Sequence, residues 1–213
     1  GGVLTHDDLK EIAKIAVEND IWILSDEIYS RIIYGAKFES LTQFPGAQER
    51  TIILDGMSKT YAMTGWRLGY GVMEETLAAH VTRLQTNSNS CVSAFSQRAL
   101  GEAITGQQDD AYKMVAQFEK RRDVIVDGLN AIEGITCKKP IGAFYVFPNV
   151  KALGKTSKEL ETLLLEKYGV AALAGTSFGK FGEGYLRFSY ANSIENIKKA
   201  LGRVEHMTKD LLK

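Results

Sequence analysis

Lys59 follows the apolar run Ile52-Ile53-Leu54 across the short stretch Asp55-Gly56-Met57-Ser58, and it is the residue of this 213-residue chain best placed to do chemistry. An amine becomes nucleophilic toward a carbonyl when it is partly desolvated or set near other cations, and a strand end lined by small residues offers that setting. Lys59 is therefore a candidate to hold an aldehyde as a Schiff base. Arg67, on what reads as the next strand, Arg67 to Val72, carries the planar fork of donors that grips a phosphate. An aldehyde and a phosphate on one small molecule suit pyridoxal phosphate.

These residues need elements that bring them together. Thr5 and Asp8 have the spacing of a capping box, and Leu9, Ile12, Ala13 and Ala16 then recur at helical intervals. Ile21-Trp22-Ile23-Leu24 reads as a strand buried on both faces of a parallel sheet, ending in polar Ser25-Asp26-Glu27. Thr51 to Leu54 repeats the pattern and delivers Ser58 and Lys59 just beyond its end. Ligands bind at the carboxyl ends of strands in open α/β sheets, so Asp26 and Lys59 are expected at one edge.

A long helix is predicted over about 109–132, with Ala111, Met114, Val115, Phe118, Ile125, Leu129 and Ile132 as its apolar stripe before Gly134. We place a domain boundary along it, giving domains 1–115 and 116–213. Beyond it, strands are expected at 135–138, 143–147 and 184–191, and helices starting near Thr156 and near Asn192, each with a glutamate three residues on. Alternation along the last strand puts Leu186 and Phe188 on one face and Arg187 on the other.

Composition excludes several classes of function. Twenty-six acidic residues balance twenty-six basic ones, leaving no electrostatic footprint for nucleic acid or an anionic membrane. Cys91 and Cys137 lie far apart and His6, His80 and His206 are isolated, so reduced cysteines and no metal site are expected. No apolar run is long enough to span a bilayer and no signal peptide opens the chain, which reads as cytoplasmic. The start at Gly1-Gly2, without an initiator methionine, is expected to be a cut or processed one. Gly179-Lys180-Phe181-Gly182-Glu183-Gly184 lacks the order of a phosphate-binding fingerprint and precedes a strand, so it reads as a turn. A Ser58/Lys59 acyl-transfer pair is set aside, because adjacent residues seldom point at each other.

The segment Ser58-Lys59-Thr60-Tyr61-Ala62-Met63-Thr64-Gly65-Trp66-Arg67 resembles the lysine signature of class I/II, fold type I, pyridoxal-phosphate aminotransferases. Ser25-Asp26-Glu27-Ile28-Tyr29 is similar to that family's pyridine-binding strand, and Tyr185-Leu186-Arg187-Phe188-Ser189-Tyr190-Ala191 to the strand whose arginine takes the substrate carboxylate. The resemblance covers nearly the whole chain but only the C-terminal half, or slightly more, of a family member. It implies an α/β fold: the C-terminal part of the large, mostly parallel domain plus a small C-terminal domain.

It also implies roles. Asp26 would keep the ring nitrogen protonated, as an electron sink requires. Tyr29 would donate to the ring's 3-oxygen, Ser58 and Arg67 would hold the phosphate, and Gly65 would permit a close turn. Lys59 would both carry the cofactor and move a proton from the substrate's α-carbon. Arg187 would clamp the α-carboxylate, with Gly142 to Phe147 and Ser177 to Phe181 lining the face that closes over it. The second serine that the family often has three residues before the lysine is here Gly56.

The implied whole-enzyme reaction is ping-pong transfer of an amino group between an amino acid and a 2-oxo acid, of the aspartate or aromatic type, in a homodimer. The chain alone is expected to show little activity. A lyase of the same fold, or an aminotransferase-like sensor domain of a transcription regulator, are the alternatives; Lys59, Asp26 and Arg67 do not separate the lyase.

Overall fold

A computed structural model describes all 213 residues, Gly1–Lys213. The chain divides into two compact units: Val3–Lys113, and Met114–Lys213 together with Gly1–Gly2.

In the first unit, helix α1 (His6–Glu18) starts where the capping box predicts. The Thr5 hydroxyl accepts from the Asp8 amide at 3.2 Å and the Asp8 carboxylate accepts from the Thr5 amide at 2.9 Å, satisfying donors that a helix start leaves over. Its buried face, Leu9, Ala13 and Ala16, packs with Ile23, Leu41, Phe44 and Ala47; Ile12, expected in that stripe, is exposed. Strands β1 (Ile23–Asp26), β2 (Thr51–Gly56) and β3 (Gly69–Val72) form a sheet in that order, β1 parallel to β2 and β3 antiparallel to it. Pairing of Ile23 with Thr51 and of Asp26 with Leu54 brings the carboxyl ends of β1 and β2 to one edge.

The expectation of a strand buried on both faces is not met. Ile23 is buried against α1, whereas Leu24 on the opposite face is 65% exposed, because α1 covers one side of this sheet and no element of the unit covers Leu24. Gly56 pairs with Gly69 where β2 meets β3. A Cβ at Gly56 would lie 2.9 Å from both the Gly69 Cα and the Leu68 carbonyl oxygen, so a side chain here would require the two strands to shift. Two helices, α2 (Glu75–Ser88) and α3 (Ala94–Thr105), follow.

Helix α4 (Asp109–Asn130) contains the division between the units. In the second unit its Ile125, Val126 and Leu129 join one core with Leu160 and Leu164 of α5 (Ser157–Glu166) and Ile197, Val204 and Met207 of α6 (Ile194–Leu211). Thr156 caps α5 as its capping box predicts, but α6 is capped by Ser193, which accepts from the Asn196 amide, one residue later than expected. Strands β4 (Tyr145–Val146), β5 (Leu173–Ala174) and β6 (Leu186–Ser189) form an antiparallel sheet in the order β4-β6-β5. The segment expected as a strand at 135–138 makes one isolated bridge, Thr136 to Asn149. Val146, Ala174, Leu186 and Phe188 turn inward and are buried, while Arg187 lies on the other face.

Candidate functional site

The turn after β2 positions Ser58 and Lys59. Buried Met57 anchors it: the Met57 amide donates to the Leu68 carbonyl at 3.1 Å and the Met57 carbonyl accepts from Met63 at 3.2 Å. The Ala62 amide donates to the Lys59 carbonyl at 3.3 Å, and Ala62 takes a positive φ of 54° to close the loop. Ser58 and Lys59 are both half-buried. A surface lysine would extend into water; the Lys59 Nζ instead lies 5.8 Å from the centroid of the Tyr29 ring. Tyr29 belongs to the loop after β1, so the structure brings the two together from adjacent parallel strands.

Asp26 ends β1 at the same edge. Its Oδ1 accepts from the Ile28 amide at 3.3 Å and the side chain is exposed, which leaves carboxylate lone pairs for another donor.

Arg67 differs from expectation. It does not lie on a strand but closes a 3-10 turn (Thr64–Trp66) two residues before β3, in the left-handed region at φ 51°. Gly65 has no positive φ and open space around its α-carbon, so the conformational demand falls on the arginine itself. The Arg67 Nη1 donates to the Thr64 carbonyl at 3.2 Å, and the exposed guanidinium has no carboxylate paired with it. Arg67 borders a cavity of about 1260 Å³ with Trp66, Gly69, Ser90, Cys91 and Ser93; Lys59, Ser58, Asp26 and Tyr29 lie outside its lining.

Two hydrogen-bonded groups that the sequence did not single out brace this region. The Tyr70 hydroxyl donates to the Asp55 carboxylate at 3.0 Å across the β2/β3 pair, while the other carboxylate oxygen accepts from the Gly56 amide at 2.7 Å. The Gln108 side-chain oxygen accepts from the Tyr61 hydroxyl at 2.9 Å and from Arg31, and its amide donates to the Ala103 and Gly106 carbonyls. A hairpin register would have suggested the first. Nothing local points to the second, because Gln108 is 47 residues from Tyr61 and 77 from Arg31.

Burial, then the Asp55 charge and hydrogen bond, push the Tyr70 phenol from 10.0 up to about 12. A raised value means that the stabilisation is whole below pH 10.0 and is lost as pH rises toward 12. Denaturant midpoints should therefore fall across that window, and fall less in Tyr70→Phe; an equal fall in both proteins would show that another group titrates.

In the second unit, Arg187 is half-buried on β6, opposite Leu173 of β5. Its Cζ lies 4.5 Å from the Tyr145 ring centroid and 4.3 Å from that of Phe178. These rings come from the two segments expected to line a closing face. Arg187 is not ion-paired with Glu183, which accepts from the Ser157 and Gly184 amides instead.

The donor set of the first unit is an amine, a carboxylate, a phenol, a hydroxyl and a guanidinium. Four of these occupy the carboxyl edge of two parallel strands, and the set fits the aldehyde, ring nitrogen, ring oxygen and phosphate of pyridoxal phosphate.

Comparison with known proteins gives a consistent result. Residues 1–204 match the family described as aminotransferase class I and II. The aromatic-amino-acid aminotransferase 2 of Thermococcus litoralis is 40% identical over 213 residues, covering 99% of this chain and 54% of the relative. The aspartate aminotransferase of Pyrococcus abyssi is 39% identical over 213 residues, again 99% of this chain and 54% of the relative. The crystal structure of the aromatic aminotransferase from Pyrococcus horikoshii superposes with a TM-score of 0.94 at 38% identity, covering 98% of this chain and 57% of that one. The chain thus spans about half the length of the relatives it matches and corresponds to their C-terminal part.

Proposed function

The chain belongs to the class I and II aminotransferases, a pyridoxal-phosphate-dependent family, and from that premise we propose that the complete protein moves amino groups between an amino acid and a 2-oxo acid. The observation that carries this is the half-buried Lys59 amine over the Tyr29 ring, at the strand edge that also holds Ser58 and Asp26.

Bound pyridoxal phosphate supplies an electron sink for charge that develops on the substrate's α-carbon. Lys59 would hold the cofactor through Nζ, and the same amine would serve as the base that takes the substrate's α-proton. Asp26 keeps a proton on the ring nitrogen by presenting a negative charge to it. The Tyr29 phenol donates to the ring's 3-oxygen. The Ser58 hydroxyl and Arg67 guanidinium hold the phosphate, the arginine through charge-assisted bonds that an acidic neighbour would otherwise occupy. Arg187 takes the substrate α-carboxylate.

The names of the relatives support an amino donor of aspartate or aromatic type. We also propose a homodimer: Leu84 and Phe95, 71% and 73% exposed, are the kind of apolar surface that a second copy covers. The cytoplasm is the proposed setting, in keeping with Cys91 and Cys137 both being free thiols.

The test is spectroscopic. Adding an amino acid without a 2-oxo acid to the complete, cofactor-loaded protein should convert the cofactor stoichiometrically to its aminated form, and a 2-oxo acid should reverse the change. Release of ammonia and a 2-oxo acid with the cofactor unchanged would mark a lyase and contradict the proposal.

A further inference from the structure

We propose that Tyr145 and Phe178 are positioning residues for Arg187, holding its guanidinium in place before a carboxylate arrives. The inference rests on the reading of Arg187 as the carboxylate clamp and goes beyond it in assigning what holds the clamp.

The Arg187 Cζ lies over both rings, at 4.5 Å and 4.3 Å from their centroids. Both distances are well inside the roughly 6 Å at which a ring face attracts a cation. A ring attracts the charge without neutralising it, whereas a carboxylate partner would compete with substrate. The acidic residue closest in sequence is kept out of that role: Glu183 accepts from the Ser157 amide at 2.8 Å and the Gly184 amide at 3.1 Å. An arginine otherwise free to sample many rotamers is thus ordered while still cationic, so less freedom is lost when substrate binds.

The rings are themselves fixed. Phe178 ends a 3-10 turn (Gly175–Phe178) packed backbone to backbone against Gly182: a Cβ at Gly175 would lie 2.1 Å from the Gly182 carbonyl oxygen. Phe147 meets Phe178 edge-on at 6.1 Å and stacks on Tyr185 at 5.3 Å. Tyr145 is held on β4 opposite Ser189 and touches Phe144, whose ring stacks at 5.2 Å on Phe118 of α4. The guanidinium therefore leans on rings that are tied to a turn, a strand and a helix.

The test uses the complete, cofactor-loaded protein and an amino acid donor. Phe178→Leu and Tyr145→Leu remove a ring while keeping apolar bulk, and each should raise KM for the donor about tenfold, with the effect on KM rather than kcat. Phe178→Tyr and Tyr145→Phe restore a ring and with it the parent KM. Relaxation of the Arg187 Nε nitrogen should show an ordered side chain in the parent and ring-bearing variants and a mobile one in the leucine variants. Arg187→Ala should raise KM further than either leucine variant. Leucine variants that keep the parent KM, or an equally ordered Nε, would overturn the positioning role and leave the clamp standing. An unchanged KM in Arg187→Ala would overturn both.

Discussion

Replacing Lys59 with alanine should abolish conversion of the cofactor by an amino donor. The loss has two parts. Removing a positioned base costs about 10²–10⁴-fold, and removing the amine that anchors the cofactor adds to it, since the same Nζ is proposed to serve both steps. The fold should survive, because the turn is held by backbone bonds from Met57, Met63 and Ala62 and by the buried Met57 side chain, none of which needs the lysine amine. Half-transamination followed by the cofactor spectrum, beside a denaturation curve, checks both halves. A stable Lys59→Ala protein that still aminates its cofactor at the parent rate would remove Lys59 from the chemistry.

Asp26→Asn should lower turnover on the order of 10²–10³-fold, the scale seen when one preorganised electrostatic group is lost. Cofactor affinity should change far less. The amide oxygen of asparagine can still accept the 3.3 Å bond from the Ile28 amide, so the strand end keeps its geometry while losing the charge. What disappears is the force that holds a proton on the ring nitrogen. Turnover and cofactor affinity measured together separate the effects: parent turnover in Asp26→Asn would make the aspartate a structural cap, and a parallel fall in both would make it a binding group alone.

Local signals carried much of the fold. The capping boxes at Thr5 and Thr156 were legible because each is a few side chains speaking to adjacent amides. The apolar runs before Asp26 and Lys59 were legible as strands, and the alternation around Arg187 correctly separated it from Leu186 and Phe188. What failed depended on partners. Burial of Leu24 requires an element on its side of the sheet, and the run itself holds no information about whether this unit supplies one. The position of Arg67 turned on a left-handed residue, and nothing in Gly65-Trp66-Arg67 says that the arginine, with a glycine two residues before it, takes that conformation.

The site shows the same division. Tyr29 and Lys59 could be expected near each other because each follows a strand of one parallel pair. The two segments that carry the rings about Arg187 were expected near it only through the family resemblance, and no local pattern singles out the rings themselves, since Phe178 arrives from a turn whose place is set by contact between Gly175 and Gly182. The Gln108 bonds to Tyr61 and Arg31 likewise join residues far apart in sequence.

The central claim is that Lys59 carries the cofactor, and chemical trapping tests it most directly. The complete protein, loaded with pyridoxal phosphate, would be reduced with borohydride, digested, and mapped by mass spectrometry. The account predicts one pyridoxyl adduct, on the peptide containing Ser58-Lys59-Thr60, lost in Lys59→Ala. A stoichiometric adduct on any other lysine, with Lys59 unmodified, would contradict it.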